Sequence, residues 1–491
     1  MDWNETSRNM RISKTVCDEF EERGVDLDIV LPDYCPDITA VLKYVMKPTI
    51  LARHQSGDRY TVDGLVTVRI MYLSEDRETI HCYEASQPFS VGFRCVGAVH
   101  YYVDTQNDYI NCRAVSPRRI DIHGAFRVHL YALDKGETGV FGDPCKKNVF
   151  CRKESVTLSV PMCECEKPLI VNEMFNLGVR MDALVYADVT VSSYEHKILT
   201  NKAIVKGVIM LKAVCVKDAT HHSFTQEIPF SQIVDVDGLN EERICETDVC
   251  LCEQEYVLRQ NDAGVSVLEY NGKFNTILRC SSLETTSVVL DAYSVDEPLL
   301  CQMASLKIDS RKEQKLQRIT FRECVSMPQN VTEVEDQWCE LKSYELTDEK
   351  ALNLLLTVCV IGRDSEGKLG YYERPLECNT VCDESVQNTH VRLIGSTCTI
   401  SGDQIRVQLD TDICYDYDES KTMSVVSAVA VDTKQTYDRP VATIRIVYAD
   451  EGDSLWEIAK KHHSSVEHIC AENDLTDNII RTATMLMIPM I

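Results

Sequence analysis

From Tyr60 onward, apolar and polar residues alternate in run after run, the two-residue period of strands that bury one face. The first run, Val62-x-Gly64-x-Val66-x-Val68-x-Ile70, is followed by Pro88-Phe89. A second, from Ile204 through Gly207 to Leu211, is followed by Pro229-Phe230, and a third, from Leu352 to Val358, by Pro375-Leu376. The matched positions Gly64, Gly207 and Leu354 lie about 145 residues apart, the size of a domain and far longer than a solenoid turn. Each repeat continues in further alternating stretches, over 109–133, 265–293 and 404–431. Asp262-Ala263-Gly264 and the hairpin signal Asn271-Gly272 divide them. The pattern predicts a mainly β chain of three tandem β-sandwich or open-barrel-like domains, over 1–145, 146–297 and a divergent 298–436.

Helical spacing breaks this pattern in two places. Ile38, Val41, Leu42 and Val45 predict a short helix after Leu31-Pro32-Asp33-Tyr34-Cys35-Pro36, ended by Pro48. The other place is the last stretch, 441–491, where the expected order is strand, helix, helix, strand. Arg445 to Tyr448 reads as a strand, and Gly452-Asp453-Ser454 as a turn whose Asp and Ser cap a helix beginning at Leu455. Leu455, Ile458 and Ala459 give that helix its buried face, and Ser464-Ser465 introduce a second one with Val466, Ile469 and Cys470 inward. Asn473 suits the chain reversal that follows. Met485 to Pro489 reads as a closing strand, ended by a residue that has no donor.

The run Gly452, Asp453, Ser454, Leu455, Trp456, Ile458, Ala459, then Asn473, then Leu486, Ile488 and Pro489 resembles the LysM module over the whole segment. Ala483 departs from the Gly usual in the turn before the last strand. The resemblance implies a shallow groove for N-acetylglucosamine-type sugars between the two loops, drawing on Asp453, Ser454, Leu455, Thr482, Ala483 and Thr484, with Gly452, Trp456 and Asn473 as flanking signature residues. Asp453 and Ser454 either only cap a helix or also meet the ligand, and Leu455 either fills the core or also lines the groove. Trp456 either stacks on a ring or packs on the helix surface, and packing is the favoured reading.

The repeats resemble the SPOCS domain of spore-coat proteins from endospore-forming Firmicutes. The middle unit carries the likeness in NKAIVKGVIMLKAVCVKD, QEIPFSQIVDVDGL and VVLDAYSVDEPLL, and LPDYCPDITAVLKYV looks like the opening segment of that family. In the third unit Leu354 stands for the Gly and Leu376 for the Phe. Tandem SPOCS-like domains ending in one LysM are similar to clostridial coat morphogenetic proteins. That similarity implies the ATPase of the coat's basement layer and other coat proteins as partners.

Charge and chemistry narrow the reading further. With 77 acidic residues against 51 basic, the formal charge is -26, and no Lys/Arg cluster suggests contact with nucleic acid. The start, MDWNETSRNMRISKT, lacks the apolar core of a secretory signal, and no run approaches the ~20 apolar residues of a membrane span. A cytoplasmic origin is expected, in the mother cell, followed by recruitment to the forespore surface. None of the short motifs of nucleotide-binding, metalloprotease or serine-hydrolase sites occurs, so no enzyme, cofactor or metal is expected. Asp410, Asp412, Asp416 and Asp418 read as a solvated strand edge rather than a calcium loop, and His221-His222 and His462-His463 as surface histidines. The 23 cysteines, Cys163-x-Cys165, Cys250-x-Cys252 and Cys378-x3-Cys382 among them, read as small buried hydrophobes in preference to metal ligands.

The expected function is a non-enzymatic coat and cortex scaffold whose LysM end docks a protein. The rival is a module that reads peptidoglycan, and the discriminator is the groove: sugar readers offer stacking rings beside polar groups.

Overall fold

The computed structural model describes residues 7–490, except 76–78, 143, 145–147, 312–314, 328–330, 383–387, 417, 436 and 438–442. The chain is almost entirely antiparallel β-sheet. Strands β1 (Ser7–Val30), β2 (Ala40–Ser56), β3 (Arg59–Leu73), β4 (Ile80–Arg94), β5 (His100–Ser116) and β6 (Arg119–Phe141) form two three-stranded sheets, ordered β1-β6-β5 and β2-β3-β4. Inward residues of both, such as Val25, Val66, Ile70, Phe93, Ile122 and Phe126, share one core.

The arrangement then repeats. Strands β7 (Val149–Asn176), β8 (Ala183–Leu199), β9 (Lys202–Lys217), β10 (Thr220–Asp235), β11 (Ile244–Gln260) and β12 (Ser266–Ser294) give sheets β7-β12-β11 and β8-β9-β10 around a second core. A third core lies between β15 (Val331–Leu346), β16 (Ala351–Asp364) and β17 (Leu369–Val381) on one side and β14 (Lys315–Ser326), β19 (Gln404–Asp416) and β18 (Asn388–Ser401) on the other. In this unit β13 (Leu299–Arg311) pairs with β20 (Asp418–Val431), and β14 with β19, as the long outer strands pair in the other units. Each ladder is open-ended among the described residues.

Strand register explains the repeated Gly and Phe. Gly64 faces Phe89 across β3 and β4, and Gly207 faces Phe230 across β9 and β10. A Cβ on Gly64 would collide with the Phe89 ring, which covers the bare backbone. In the third unit Leu354 faces Cys378, two residues beyond Leu376, so its hairpin carries a different pair at this level.

Two local expectations are overturned. Residues 40–56 form β2 and not a helix: a bulge between Val41 and Lys43 shifts the pairing by one residue, Lys43 and Met46 turn inward and Val45 is exposed, so the spacing of Ile38, Val41, Leu42 and Val45 marks no buried helical face. Pro48 sits within this edge strand, where a missing donor is tolerated. Asn271-Gly272 makes no hairpin either, because both lie inside β12, where a Cβ on Gly272 would meet the ring of Tyr270. The turn falls instead at Asn261–Gly264, with Gly264 at φ +74.

The three units are not beads on a string. Towards its end β3 stops alternating, and Met71, Tyr72 and Leu73 are all buried. The same happens at Ala213 to Val216 in β9 and at Val358 to Ile361 in β16. One face of each strand meets its own core and the other meets the neighbouring units. Met71, Val214 and Ile361, which occupy matching places in the repeats, join Ile80, Tyr186 and Leu369 in one cluster. A second shared cluster gathers the long outer strands, with Met10 and Val140, Val156 and Val288, and Leu306 and Met423 from successive units.

Polar groups close the same seam. The Ile80 N–H of the first unit donates to His221 Nε2 of the second at 3.1 Å, while His221 Nδ1 donates to Glu335 of the third at 2.5 Å. An Nε2 that accepts and an Nδ1 that donates define the neutral Nδ1–H tautomer. Arg363 holds the other Glu335 oxygen at 2.5 Å and donates to the Ala219 carbonyl at 3.0 Å. Burial pushes the Glu335 carboxyl up, but the His221 hydrogen bonds and the Arg363 charge outweigh it and hold the group below the usual range. Nearby, the buried Lys43 ammonium bonds Glu340 and the Tyr371 hydroxyl and lies 5.3 Å from the Trp338 ring centre, tying the first unit to the third.

His221 is therefore buried and joins three units, which corrects its reading as a surface residue; His222 is exposed. Replacing His221 with Ala strands the Ile80 N–H and leaves that Glu335 oxygen with only the backbone N–H of residue 221. The expected cost is about 1–3 kcal/mol, read as a lower urea midpoint at unchanged slope.

Candidate functional site

The end of the chain folds as strand, helix, helix, strand: β21 (Ile444–Ala449), α1 (Leu455–Lys461), α2 (Val466–Glu472) and β22 (Thr484–Pro489). β21 and β22 pair antiparallel from Ile444↔Pro489 to Ala449↔Thr484. Leu455, Ile458, Ala459, Ile469, Leu486 and Ile488 fill the small core, as the spacing predicts.

The caps differ between the helices. Ser465 caps α2 as expected, its hydroxyl accepting from the His468 N–H at 3.1 Å. Ser454 occupies the N-cap position of α1 but makes no side-chain cap bond. Asp453 points its carboxylate back to the Asp450 N–H at 3.0 Å, closing the turn around Gly452 at φ +93. The expectation that these two side chains cap α1 is thus corrected: the start of α1 is fixed by backbone, with the Leu455 N–H donating to the Asn478 carbonyl at 2.9 Å.

The anticipated groove residues divide into those that face solvent and those that are committed. Gly452, Asp453, Thr482, Ala483 and Thr484 are exposed and Ser454 half-buried, whereas Leu455 is wholly inside the core. Thr484 opposes Ala449, so the turns at 450–453 and 481–483 lie at one end of the hairpin. The backbone partners of 452–455 are Asn478 and Ile480, through Gly452 N–H to Ile480 O at 2.8 Å and Ile480 N–H to Asp453 O at 2.9 Å. These two residues were missed, since no local pattern marks them. Asn473 is spent on structure: its amide exchanges hydrogen bonds with the Met487 backbone at 2.6 and 2.7 Å, extending the sheet by one side chain.

Trp456 packs, but on a neighbour. Its Nε1 donates to Asp291 of β12 at 2.8 Å, and its ring meets Tyr293 edge-on at 4.9 Å. Lys460 reaches both Asp291 oxygens at 2.8 Å, and the Tyr293 hydroxyl donates to the Ser464 carbonyl at 2.8 Å. Tyr293 and Val295 belong to the same core as Leu455, so the helical side of the terminal module is sealed against the second unit. Burial pushes the Asp291 carboxyl up, while Lys460 and Trp456 pull it down further and leave it below the usual range.

The side away from the helices is open and apolar. Ile446 (69 % exposed) stands beside Met487, and Tyr448 (66 %) beside Met485 (69 %), with Ile444 next in line and Ile479 exposed in the adjoining loop. Sequence reasoning did not single out this strip. Its only signal was apolar residues at alternate places in both strands when the opposite places were already apolar.

The other candidates are structural. Asp412 is buried on the central strand β19 and paired with Arg318 at 2.9 Å, and Asp410 accepts from Thr320 at 2.6 Å, so a solvated strand edge is the wrong description. The side chains of Asp416 and Asp418 lie outside the described residues. His462 and His463 are half-buried beside Arg445 and Tyr437, again not the surface positions expected. Among the described residues, no group of three His, Cys, Asp or Glu is arranged to hold a metal ion. No described helix is long and apolar enough to cross a membrane.

Comparison with known families agrees with this geometry. A family described as "SipL, SPOCS domain" matches residues 181–256, which run from just before β8 into β11. The LysM domain matches residues 450–489. The chain thus carries a SPOCS domain of the SipL kind in its second unit and a LysM domain at its end. Both are non-catalytic interaction modules, which supports a role as a protein- or glycan-interaction scaffold. No curated protein and no solved structure matches it.

Asp291→Asn removes the charge partner of Lys460 and is expected to loosen the terminal module without unfolding the sheets. Hydrogen exchange should then quicken in 444–490 and stay unchanged in 181–256. The same docking depends on pH: a carboxyl held below its ordinary value stabilises the folded arrangement above the unfolded pKa, about 4, and loses that contribution as pH falls through the lower folded value. Protection of 444–490 should therefore persist at pH 5 and weaken below about 4.

Proposed function

We propose that this chain is a scaffold of spore-coat and cortex assembly, built from three β-sandwich domains over 1–145, 146–297 and 298–436. It tethers coat proteins at the forespore surface, and its LysM module docks a protein partner. The partner in this reading is the ATPase of the coat's basement layer, and the protein is made in the mother-cell cytoplasm before it joins the forespore.

The observation that carries the reading is the open strip of Ile444, Ile446, Tyr448, Met485 and Met487 on a module whose opposite side is already sealed. Aliphatic and thioether side chains suit an apolar protein surface, and Met adapts its shape to one. Binding would extend from the strip to the adjoining turns, Gly452 to Leu455 and Thr482 to Thr484, where the polar groups fix register. The glycan reading has its own support in Tyr448, a ring beside those polar turns at the loop end of β21.

The full chain is the right reagent, because Tyr293 and Val295 of the second unit complete the module's core. Its binding to the purified ATPase and to soluble peptidoglycan and chitin oligomers separates the two readings. Ile446→Glu is expected to weaken ATPase binding at least about tenfold, 1.4 kcal/mol, with the fold intact. Undiminished ATPase affinity in that variant would remove the protein-docking reading. Sugar binding that is lost in Tyr448→Ala, with no ATPase binding at all, would establish the rival.

A further inference from the structure

Cys163 of β7, Cys280 of β12 and Cys245 of β11 stand directly opposite one another in the registers of three neighbouring strands. They form a row of thiols across one sheet. The Cys245 and Cys280 sulfurs are 3.0 Å apart, and Cys280 also hydrogen-bonds Cys163 on its other side. Facing residues on adjacent antiparallel strands have Cα atoms about 4.5–5.5 Å apart, inside the ~4.4–6.8 Å span of a disulfide. Cys280 is thus a shared partner that can bridge to either neighbour, one at a time.

The three differ in access, and Cys163 and Cys280 in acidity. Cys245 and Cys280 are shut inside the core, while Cys163 is half-buried. The Cys280 thiol donates to Cys163, against the opposing effect of burial, and a bond from Cys165 and the Lys135 ammonium add to it, bringing the Cys163 pKa down to about 7. Giving up those bonds and being buried push Cys280 far the other way. The more acidic thiol is therefore also the least buried of the three, and the thiol behind it waits within bonding distance.

We propose that Cys163, Cys280 and Cys245 form a thiol–disulfide relay that closes a cross-strand disulfide in the second unit when the protein meets a small-molecule disulfide oxidant of the oxidised-glutathione kind. The Cys163 thiolate attacks one sulfur of the oxidant, making a mixed disulfide and releasing one small thiolate. Cys280 passes its proton to that thiolate and attacks Cys163 Sγ, expelling the second small thiolate. The Cys163 thiolate and the Cys280 thiol together lose two electrons, and one small disulfide becomes one thiol and one thiolate. Cys245 can then attack Cys280 Sγ and return Cys163 as thiolate, with no net redox change.

The position gives the bridge something to hold. The ladder between β7 and β12 slips by one residue next to Cys280, and His100 of the first unit donates to the carbonyls of Cys163 and Cys280 at 3.1 and 3.0 Å. A disulfide there would fix an irregular register beneath the seam between two units. The third unit repeats the pairing of a buried thiol with a half-buried one: Cys339 and Cys398 lie 4.0 Å apart, with Lys212 of the second unit nearby.

The test treats the reduced full chain with oxidised glutathione, alkylates the remaining thiols and maps peptides without reduction. A linked pair joining Cys280 to Cys163 or Cys245 is expected, absent from Cys280→Ser. In Cys163→Ser, a milder change at a half-buried place, bridging of Cys245 to Cys280 should slow at least about tenfold although both thiols remain, with the melting curve showing that the variant is folded. Full alkylation of Cys280 while exposed Cys324 carries the glutathione would overturn the proposal. So would bridging in Cys163→Ser at the rate of the parent protein.

Discussion

A strand with apolar residues on both faces needs cover on both sides, and its own two-layer unit supplies only one. That constraint governs this molecule. Met71 to Leu73, Ala213 to Val216 and Val358 to Ile361 are buried on both faces, and the three stretches cover one another. Burying a Val or Ile side chain contributes about 1.5–3 kcal/mol, so a separated unit would expose several such groups at once. The polar residues at the seam then set which arrangement is allowed. Lys43, His221 and Glu335 each have partners in another unit, and a shifted packing would leave them buried and unsatisfied.

The terminal module is tied down by the same means at smaller scale. Tyr293 and Val295 join its core, while Asp291 collects Trp456 and Lys460. One side of the module is thereby sealed and the other displayed. In the proposed scaffold role this matters mechanically, since a face held on a large, cross-braced body transmits position as well as affinity. An order imposed in advance also lowers the entropy lost when a partner binds.

The formal charge of -26 coexists with a seam rich in basic groups. Lys43, Arg69, Lys212, Arg279 and Arg363 all spend their donors between or beneath the units. Carboxylates such as Glu340, Asp336, Glu164 and Glu335 meet them there, so the seam is close to balanced and the acidic excess of the chain lies outside it. That distribution favours solubility.

Much of this was legible in the residues. Alternation over Val62 to Ile70 predicts a half-buried strand because successive side chains point to opposite faces, and the recurrence of that run with a following Pro-Phe predicts repeated units. The small helices of the last stretch follow from the spacing of Leu455, Ile458 and Ala459. Where the reading failed, a contact distant in sequence had intervened. Lys43, drawn inward to Glu340, sits in a bulged strand whose apolar spacing looked helical, and Asn271-Gly272 is paired on both sides, with Glu255 and Gln254 of β11 and with Asn172 and Val171 of β7. The sequence alone determined element type and repeat, because these depend on periodicity within a few residues. Only the tertiary structure decided that His221 joins three units, that Trp456 faces Asp291 and that Cys280 stands between two thiols, because those contacts join residues from 35 to 165 positions apart that no local pattern relates.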